Sequence, residues 1–446
     1  MSGTVEVYGA GAARKPCSQR SVPPRSPQGE ATRRIMNVRR SAAVLAAVAV
    51  FGSAAAPAAF ADDASPSPAA LPSGLYGKTD PKFDGVFRQS YALLAQSMEG
   101  VEPAEKAIDW LTGQQCASGG FAAYRADASA PCDSKTAVDS NSTAAAVQAL
   151  AGVGHEDKTL KKSVEWLKSV QNTDGGWGYN PGLPTDANST GIVIGALVAA
   201  GENPADVKSK DGKSAYDALP KLVMDCDKDG GAFGLADPKS GKLSPNADAT
   251  AAGVLGSLGR GLVVEPPKDR DATGSKCAKP DTATQAASNG VGYLLDTLGK
   301  TDDHLMSSMP GAKDKPDFGN TADAVLALAA ADQKERAKKS AEWLAKNSAD
   351  WAKQSGPAAY AQLVFAANAA GMDARDFGGA DLVKQLNATG PAPRSASKSP
   401  TGSASDSDEK KDDGGGVSVW WIIGVGMVAG IGIGFLYSGN RKKQQP

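Results

Sequence analysis

A glycine-rich corner recurs along this chain, and its recurrence constrains the fold more than any other feature. In the stretch 163–197, Val164, Trp166, Leu167 and Val170 share one helical face, Asp174-Gly175-Gly176-Trp177-Gly178 breaks the helix, and Asp186 stands where it can cap a second helix beginning near Asn188. A lone helical hairpin cannot bury its own apolar stripe, so copies must stack against it. Upstream, Ile108-Asp109-Trp110-Leu111 leads through Gln115 to Ser118-Gly119-Gly120-Phe121, and Asp139-Ser140-Asn141-Ser142-Thr143 then opens a helix running to Leu150. Downstream, residues 219–224 lead to Asp229-Gly230-Gly231-Ala232-Phe233-Gly234 and then to Asn246-Ala247-Asp248-Ala249-Thr250. The glycine pairs start at 119, 175 and 230, a separation of 56 and 55 residues.

Two further copies lack the glycine pair. Tyr293-Leu294-Leu295 goes with Phe318-Gly319-Asn320-Thr321-Ala322-Asp323, and Ala341-Glu342-Trp343-Leu344 goes with Ser355-Gly356-Pro357 ahead of a helix over 360–370. Residues 84–96 read as the second helix of a hairpin without its first, giving five hairpins and a leading half. A period of about 50 residues, with paired helices, Gln before the turn and a Gly-Gly-aromatic-Gly corner, resembles the prenyltransferase β-subunit and squalene or terpene cyclase repeat. The resemblance covers 83–388 and implies an all-α fold, an α/α toroid in which inner helices ring a central cavity and outer helices form a second shell. The same toroid is similar to the α-domain of cobalamin carriers such as transcobalamin and intrinsic factor.

The ends of the chain read differently. Residues 1–35 are basic, Pro-rich and aperiodic and read as translation from a start codon placed too early; 36–61 has the charged start, apolar run and Ala59-Phe60-Ala61 site of a signal peptide, and 62–82 reads as a disordered linker. Residues 389–416 are Ser, Pro, Asp, Lys and Gly with hardly an apolar side chain, a flexible stalk. Residues 417–437 are 21 positions without a charge, about 31 Å as a helix, followed by Arg441-Lys442-Lys443 in a basic tail, 438–446. The expectation is a single-pass protein of the cell membrane with its toroid extracellular and its C-terminus cytoplasmic. Gly426, Gly430 and Gly434 recur on one face of that span and suit a transmembrane partner. The balance of 48 basic against 49 acidic residues excludes a nucleic-acid signature.

Cysteine usage fits export. Without Cys17, in the discarded segment, Cys116, Cys132, Cys226 and Cys277 remain, an even set for disulfides in an oxidising compartment. Three pairings are possible; the favoured one joins Cys116 to Cys132, closing a long corner, and Cys226 to Cys277, pinning an insertion at 260–285.

The family's chemistry finds few residues to carry it. Terpene cyclases of the protonating class use D-x-D-D with the middle Asp as acid; the nearest matches are Asp186-Ala187-Asn188-Ser189 and Asp139-Ser140-Asn141-Ser142, where Asn and Ser deliver no proton. Protein prenyltransferases need zinc on Asp, Cys and His, but the cysteines are taken as disulfides and the histidines, His155 and His304, fall in loops. No catalytic residue is therefore expected.

What remains is the motif at the mouths of successive inner helices: Asp139, Asn141, Ser142, Thr143, Asp186, Asn188, Ser189, Thr190, Asp248 and Thr250. Residue by residue, these read as caps and packing. Collectively, converging helix N-termini with polar side chains make a rim suited to a polar ligand, with Trp177 and Tyr179 offering flat apolar contact. Asp225-Cys226-Asp227-Lys228-Asp229-Gly230 matches the opening of a calcium loop, with Ala236 at the twelfth position where a bidentate Glu is wanted.

The leading expectation is a non-enzymatic receptor that captures a small polar ligand at the bilayer and passes it to a membrane partner such as a transporter; a corrinoid is the ligand the cobalamin-carrier resemblance implies. The rivals are an isoprenoid-processing enzyme, which predicts an apolar central cavity lined by aromatics with at least one buried acid, and a surface adhesion module, which predicts a filled barrel centre and an exposed patch.

Overall fold

The computed structural model describes residues 71–155, 158–237, 240–267, 276–307 and 315–394. The expected signal peptide, most of the stalk and the span with Gly426, Gly430 and Gly434 lie outside the described residues; among those described, no helix is long and apolar enough to cross a membrane.

Among the described residues, the helices in chain order are α1 (Gly85–Met98), α2 (Glu105–Gly113), α3 (Ser140–Gly152), α4 (Lys158–Ser169), α5 (Ala187–Ala199), α6 (Ala215–Ala218), α7 (Cys226–Asp229), α8 (Ala247–Ser257), α9 (Ala283–Gly299), α10 (Phe318–Ala330), α11 (Lys334–Asn347), α12 (Ala349–Ser355), α13 (Pro357–Ala369) and α14 (Leu382–Asn387). The 3-10 turn Leu219–Leu222 continues α6. Antiparallel ribbons in three corners pair β1 (Phe121–Ala122) with β2 (Val138–Asp139), β3 (Gly234–Ala236) with β4 (Leu243–Pro245), and β5 (Leu305–Met306) with β6 (Pro316–Asp317). Helix α1 packs on α3, α3 on α5, α5 on α8, α8 on α10, α10 on α13, and α13 back on α1. These six inner helices form a closed ring, and α2, α4, α6, α9, α11 and α14 lie outside it. This is an α/α toroid.

Sequence decides which helix goes where. The outer helix α4 buries Leu160, Val164 and Leu167, spaced as one helical stripe, and turns its lysines to solvent. Inner helices are apolar or small all round: every residue of α3 except Asn141 is buried. Small residues let inner helices touch, since a Cβ on Gly256 would lie 2.8 Å from Gly191 Cα across the α5–α8 contact.

Each corner is joined to its inner helix by one hydrogen bond. The backbone N–H of Phe121, Trp177 and Phe233 donates to the hydroxyl of Thr143, Thr190 and Thr250 at 2.8, 3.0 and 3.1 Å. The fourth corner has no glycine pair yet makes the same bond, Leu305 N–H to Thr321 Oγ1 at 2.9 Å. These bonds set the repeat register: Phe121, Trp177 and Phe233 are equivalent, so Gly231, not Gly230, matches Gly119 and Gly175, and Gly230 instead ends α7. Gly175 has φ 99°, and a Cβ there would lie 2.1 Å from the carbonyl oxygen of Ser214, at the start of α6. The corner therefore needs glycine twice over, for its left-handed backbone and for contact with the next outer helix.

The missing half of the leading hairpin lies at the other end of the chain. Helix α14 packs on α13 and α1 as the outer helix that α1 lacked, with Gln96 Nε2 donating to Asn387 Oδ1 at 2.6 Å. Residues 73–77 form its corner: Tyr76 is fully buried, its N–H donates to Gln89 Oε1 at 2.9 Å, its hydroxyl to the Pro391 carbonyl at 3.3 Å, and the Gly77 N–H to the Thr389 carbonyl at 2.9 Å. The ring thus reaches past 83 and 388 on both sides, because 71–82 and 389–394 bury apolar side chains against it rather than lying free.

Both favoured disulfides form. Cys116–Cys132 has its Cα atoms 5.6 Å apart and Cys226–Cys277 has them 5.7 Å apart. By loop-closure entropy, the second, spanning 51 residues, should contribute about 4 kcal/mol.

Replacing Thr190 by Val keeps the shape but leaves the buried Trp177 N–H without an acceptor, and urea unfolding should register a loss of about 1–3 kcal/mol. A Thr190→Val midpoint equal to wild type would rule out the clamp. Reducing the disulfides should lower the melting temperature, with Cys226→Ser accounting for the larger part.

Candidate functional site: the central cavity

The inner helices enclose a cavity of about 280 Å³ lined by Phe87 and Tyr91 of α1, Asn141 and Gln148 of α3, Asn188, Gly191 and Ile192 of α5, Asp248, Ala252 and Leu255 of α8, Asp323 of α10 and Gln362 of α13. Arg260, Gly261 and Leu262, just beyond α8, complete the wall. Gln148 holds that segment in place: its Oε1 accepts from Leu262 N–H at 2.9 Å while its Nε2 donates to the Ile192 carbonyl at 3.3 Å.

Helix register decides which polar residues face inward. The caps are Asp139, Asp186, Asn246 and Asp317, whose side chains accept from Ser142, Ser189, Ala249 and Asn320 N–H at 2.6, 2.7, 2.8 and 3.1 Å. Two residues after the cap stand Asn141, Asn188 and Asp248, all in the cavity wall. Four residues after it stand Thr143, Thr190, Thr250 and Thr321, turned to the corners.

Of the residues expected at the rim, Asn141, Asn188 and Asp248 therefore face the cavity. The others do not line it. Asp139 and Asp186 cap, Ser189 bonds its own cap through its hydroxyl at 2.8 Å, Ser142 is buried, and the threonines are clamps. Trp177 is 1% exposed with its ring N–H bonded to the Leu167 carbonyl at 2.8 Å, so it packs the corner. Tyr179 is half-exposed, and its carbonyl accepts from Ser140 N–H at 2.9 Å. Asp248 does not cap α8, because Asn246 does; it accepts from Asn188 Nδ2 at 2.5 Å. The calcium loop also fails: Asp225 caps the short α7 through the Asp227 N–H, and among the described residues no three His, Cys, Asp or Glu side chains are grouped to hold a metal ion.

The strongest feature is a residue the sequence reading passed over. Asp323 lies in the cavity wall, partly buried, with Gln362 Nε2 at 3.4 Å from both its carboxylate oxygens. Burial, followed by the nearby charge of Asp248, pushes its carboxyl up to about 8, so at neutral pH it is mostly an acid with its proton in place. Burial likewise raises Asp248, against the opposing Asn188 hydrogen bond, and raises the Tyr91 hydroxyl, with Asp323 and Asp248 adding to that shift. Asn141 Oδ1 and Asn188 Oδ1 are buried acceptors with no hydrogen-bond donor. The signal for Asp323 was a lone carboxylate within the otherwise apolar run Ala322 to Ala330, six positions past the Asp317 cap.

A larger recess, about 370 Å³, opens on the surface at the first corner, where several polar groups are matched within the loop. Arg125 bonds the carbonyls of Gln114 and Ala128, Asp127 bonds Ser129, and Asp133 bonds Thr136. It is a folded-back loop at the surface.

The chain matches no family profile. It is similar to squalene–hopene cyclase of Bradyrhizobium diazoefficiens, 39% identical over 64 residues, which are 12% of this chain and 10% of that protein. It is also similar to the squalene–hopene cyclase of Alicyclobacillus acidocaldarius, 32% identical over 108 residues, 22% of this chain and 17% of that one. Among solved structures, a protein from Actinoplanes aligns with 14% identity over 67% of this chain and 94% of its own, with a TM-score of 0.41. The type II terpene cyclase MstE from Scytonema aligns with 13% identity over 61% and 72%, with a TM-score of 0.39. The chain thus spans only a small part of the curated relatives it matches. The sequence matches and the ring of hairpins agree on an α/α toroid like that of prenyltransferases and terpene cyclases. They lend nothing to the cobalamin carriers.

Asp323 also makes stability depend on pH. Its folded value near 8 lies above its ordinary 3.8, so the fold favours the neutral form. That contribution is complete below about pH 4 and is lost as pH rises through 8. Between pH 5 and 8 the melting temperature should fall for wild type and fall less for Asp323→Asn; parallel curves would refute the assignment.

Proposed function

We propose that the toroid is an isoprenoid-processing enzyme of the terpene-cyclase kind, with Asp323 as the general acid. The observation that carries this reading is a carboxyl group held neutral inside the ring, in a cavity whose walls come from all the inner helices. A proton donor works best when its pKa lies near the operating pH, and burial brings Asp323 there. The step is a transfer of the Asp323 proton to an alkene carbon or an epoxide oxygen of the substrate. The carbocation that forms is then attacked by a neighbouring double bond, which closes a ring, and is finally quenched by loss of a proton or capture of water. Once it has given up its proton, Asp323 is a carboxylate, and with Asp248 it sets negative charge beside the cation. The rings of Phe87 and Tyr91 supply π-faces for the same charge. The acid thus comes from α8 and α10 together rather than from a contiguous D-x-D-D. The similarity to squalene–hopene cyclases supports this substrate class.

A second reading, capture of a small polar ligand for a membrane partner, is favoured by the unmatched acceptors Asn141 Oδ1 and Asn188 Oδ1. A corrinoid is too large for a cavity of about 280 Å³ and would have to rest at its mouth. Under either reading the disulfides favour an oxidising compartment, and the apolar stretch 417–437 is proposed as the anchor.

The test is incubation of the full-length protein with squalene, oxidosqualene and linear prenols, followed by mass spectrometry for cyclic products. Product is expected from wild type, with at least about a hundredfold loss in Asp323→Asn, the scale of a general acid's contribution. No product from any of these substrates, together with binding of a polar ligand that Asn188→Ala abolishes, would favour the receptor instead.

A further inference from the structure

The cavity wall holds two O–H groups that the protein leaves without an acceptor. Tyr91, in the middle of α1, is 5% exposed and lines the cavity, yet among the described residues its hydroxyl bonds to no other group. Nor is that hydroxyl sealed within the packing, as Asn141 Oδ1 and Asn188 Oδ1 are, so it opens on the cavity. The Tyr91 ring packs against Phe87 at 4.3 Å and edge-on against Phe365 at 5.4 Å between centroids, which restricts how far the hydroxyl can swing. Burial keeps it a hydroxyl rather than a phenolate, so it is able to donate.

The second O–H belongs to neutral Asp323. Gln362 of α13, the helix between α1 and α10, approaches that carboxyl with its amide nitrogen, 3.4 Å from both oxygens. An N–H group donates, so it supports the carboxyl oxygens and offers nothing to the acid's own proton. Neighbouring amides in the wall are engaged: Gln148 bonds Leu262 and Ile192 with its two ends, and Asn188 Nδ2 donates to Asp248. The two neutral donors thus require the same thing of whatever fills the cavity, an oxygen with lone pairs. A hydrocarbon lying over them would strip away their water and return no hydrogen bond, whereas one ligand oxygen can accept from both.

We infer that the toroid takes an isoprenoid with an oxygen acceptor at its reacting end, an epoxide rather than an alkene, and that Tyr91 is the specificity residue that grips this oxygen beside Asp323. This rests on the isoprenoid reading of the cavity and chooses between the two proton acceptors that reading allows. Asp323 passes its proton to the epoxide oxygen, the bond from that oxygen to the more substituted carbon breaks, and that carbon is left with the positive charge. The Tyr91 hydroxyl keeps its own proton and its hydrogen bond to the new alcohol. A site that holds a ligand's polar atom in this way rejects the analogue without it, because its own buried group is then left unpaired.

The test compares β-myrcene with the epoxide of its trisubstituted double bond, two ligands of one carbon skeleton, for binding to the full-length protein by isothermal titration calorimetry. Tyr91→Phe keeps the ring and removes a hydroxyl that bonds nothing in the protein, so its melting temperature should match or exceed that of wild type. Its affinity for the epoxide should fall by about tenfold or more, while β-myrcene binding stays within about twofold. A lowered melting temperature would mean that the hydroxyl serves the packing, and an epoxide loss no larger than the β-myrcene loss would mean that it does not touch the ligand. Either result overturns the inference, as does absence of epoxide binding to wild type. If the selective loss appears but no substrate is cyclised, the catalytic reading fails and the Tyr91 contact stands. If cyclic products form and Tyr91→Phe does not discriminate between the two ligands, the catalytic reading stands and the contact fails.

Discussion

The toroid depends on one hydrogen bond repeated around it, the donation of a corner amide to a threonine hydroxyl one turn inside the next helix. A corner that buries an aromatic side chain also buries that residue's own N–H, and an unmatched amide there would cost about 1–3 kcal/mol. Threonine answers this demand and at the same time fixes how far the helix is rotated about its axis. That rotation is what turns the position two residues after the cap inward. The polar character of the cavity thus follows from how the corners are tied down. The leading hairpin obeys the same demand with a different residue, since Gln89 receives the Tyr76 amide.

This explains what could be read directly from sequence. Corners and caps are local, and Asp139, Asp186 and the glycine pairs announce them in adjacent residues. The cavity is different, because it brings together Asp248, Asp323 and Gln362 from three helices, and no spacing in the chain expresses that meeting. Asn188 and Asp248 were visible as polar residues, but whether they cap, clamp or line depends on a phase of two residues, which only the threonine bonds fix. The third glycine pair misled in the same way: Gly230 looked like the start of the corner, whereas it ends a short helix and the corner begins at Gly231.

The ring holds a carboxyl group raised without a contiguous acid motif. Asp323 and Asp248 lie on neighbouring inner helices rather than in one short run; burial raises Asp323 first and the charge of Asp248 adds to it. A toroid permits this because each inner helix presents a short arc of the same wall, so carboxyl groups far apart in the chain, and the amides of Asn188 and Gln362 beside them, face one space.

The sealing of the ring by its two extremities has a consequence for biogenesis. The corner at 73–77 is made early in synthesis, yet Pro391 lies 315 residues beyond Tyr76, so α1 has an unfilled flank until nearly the whole toroid has been made. The circle therefore cannot lock before its final turn has been made.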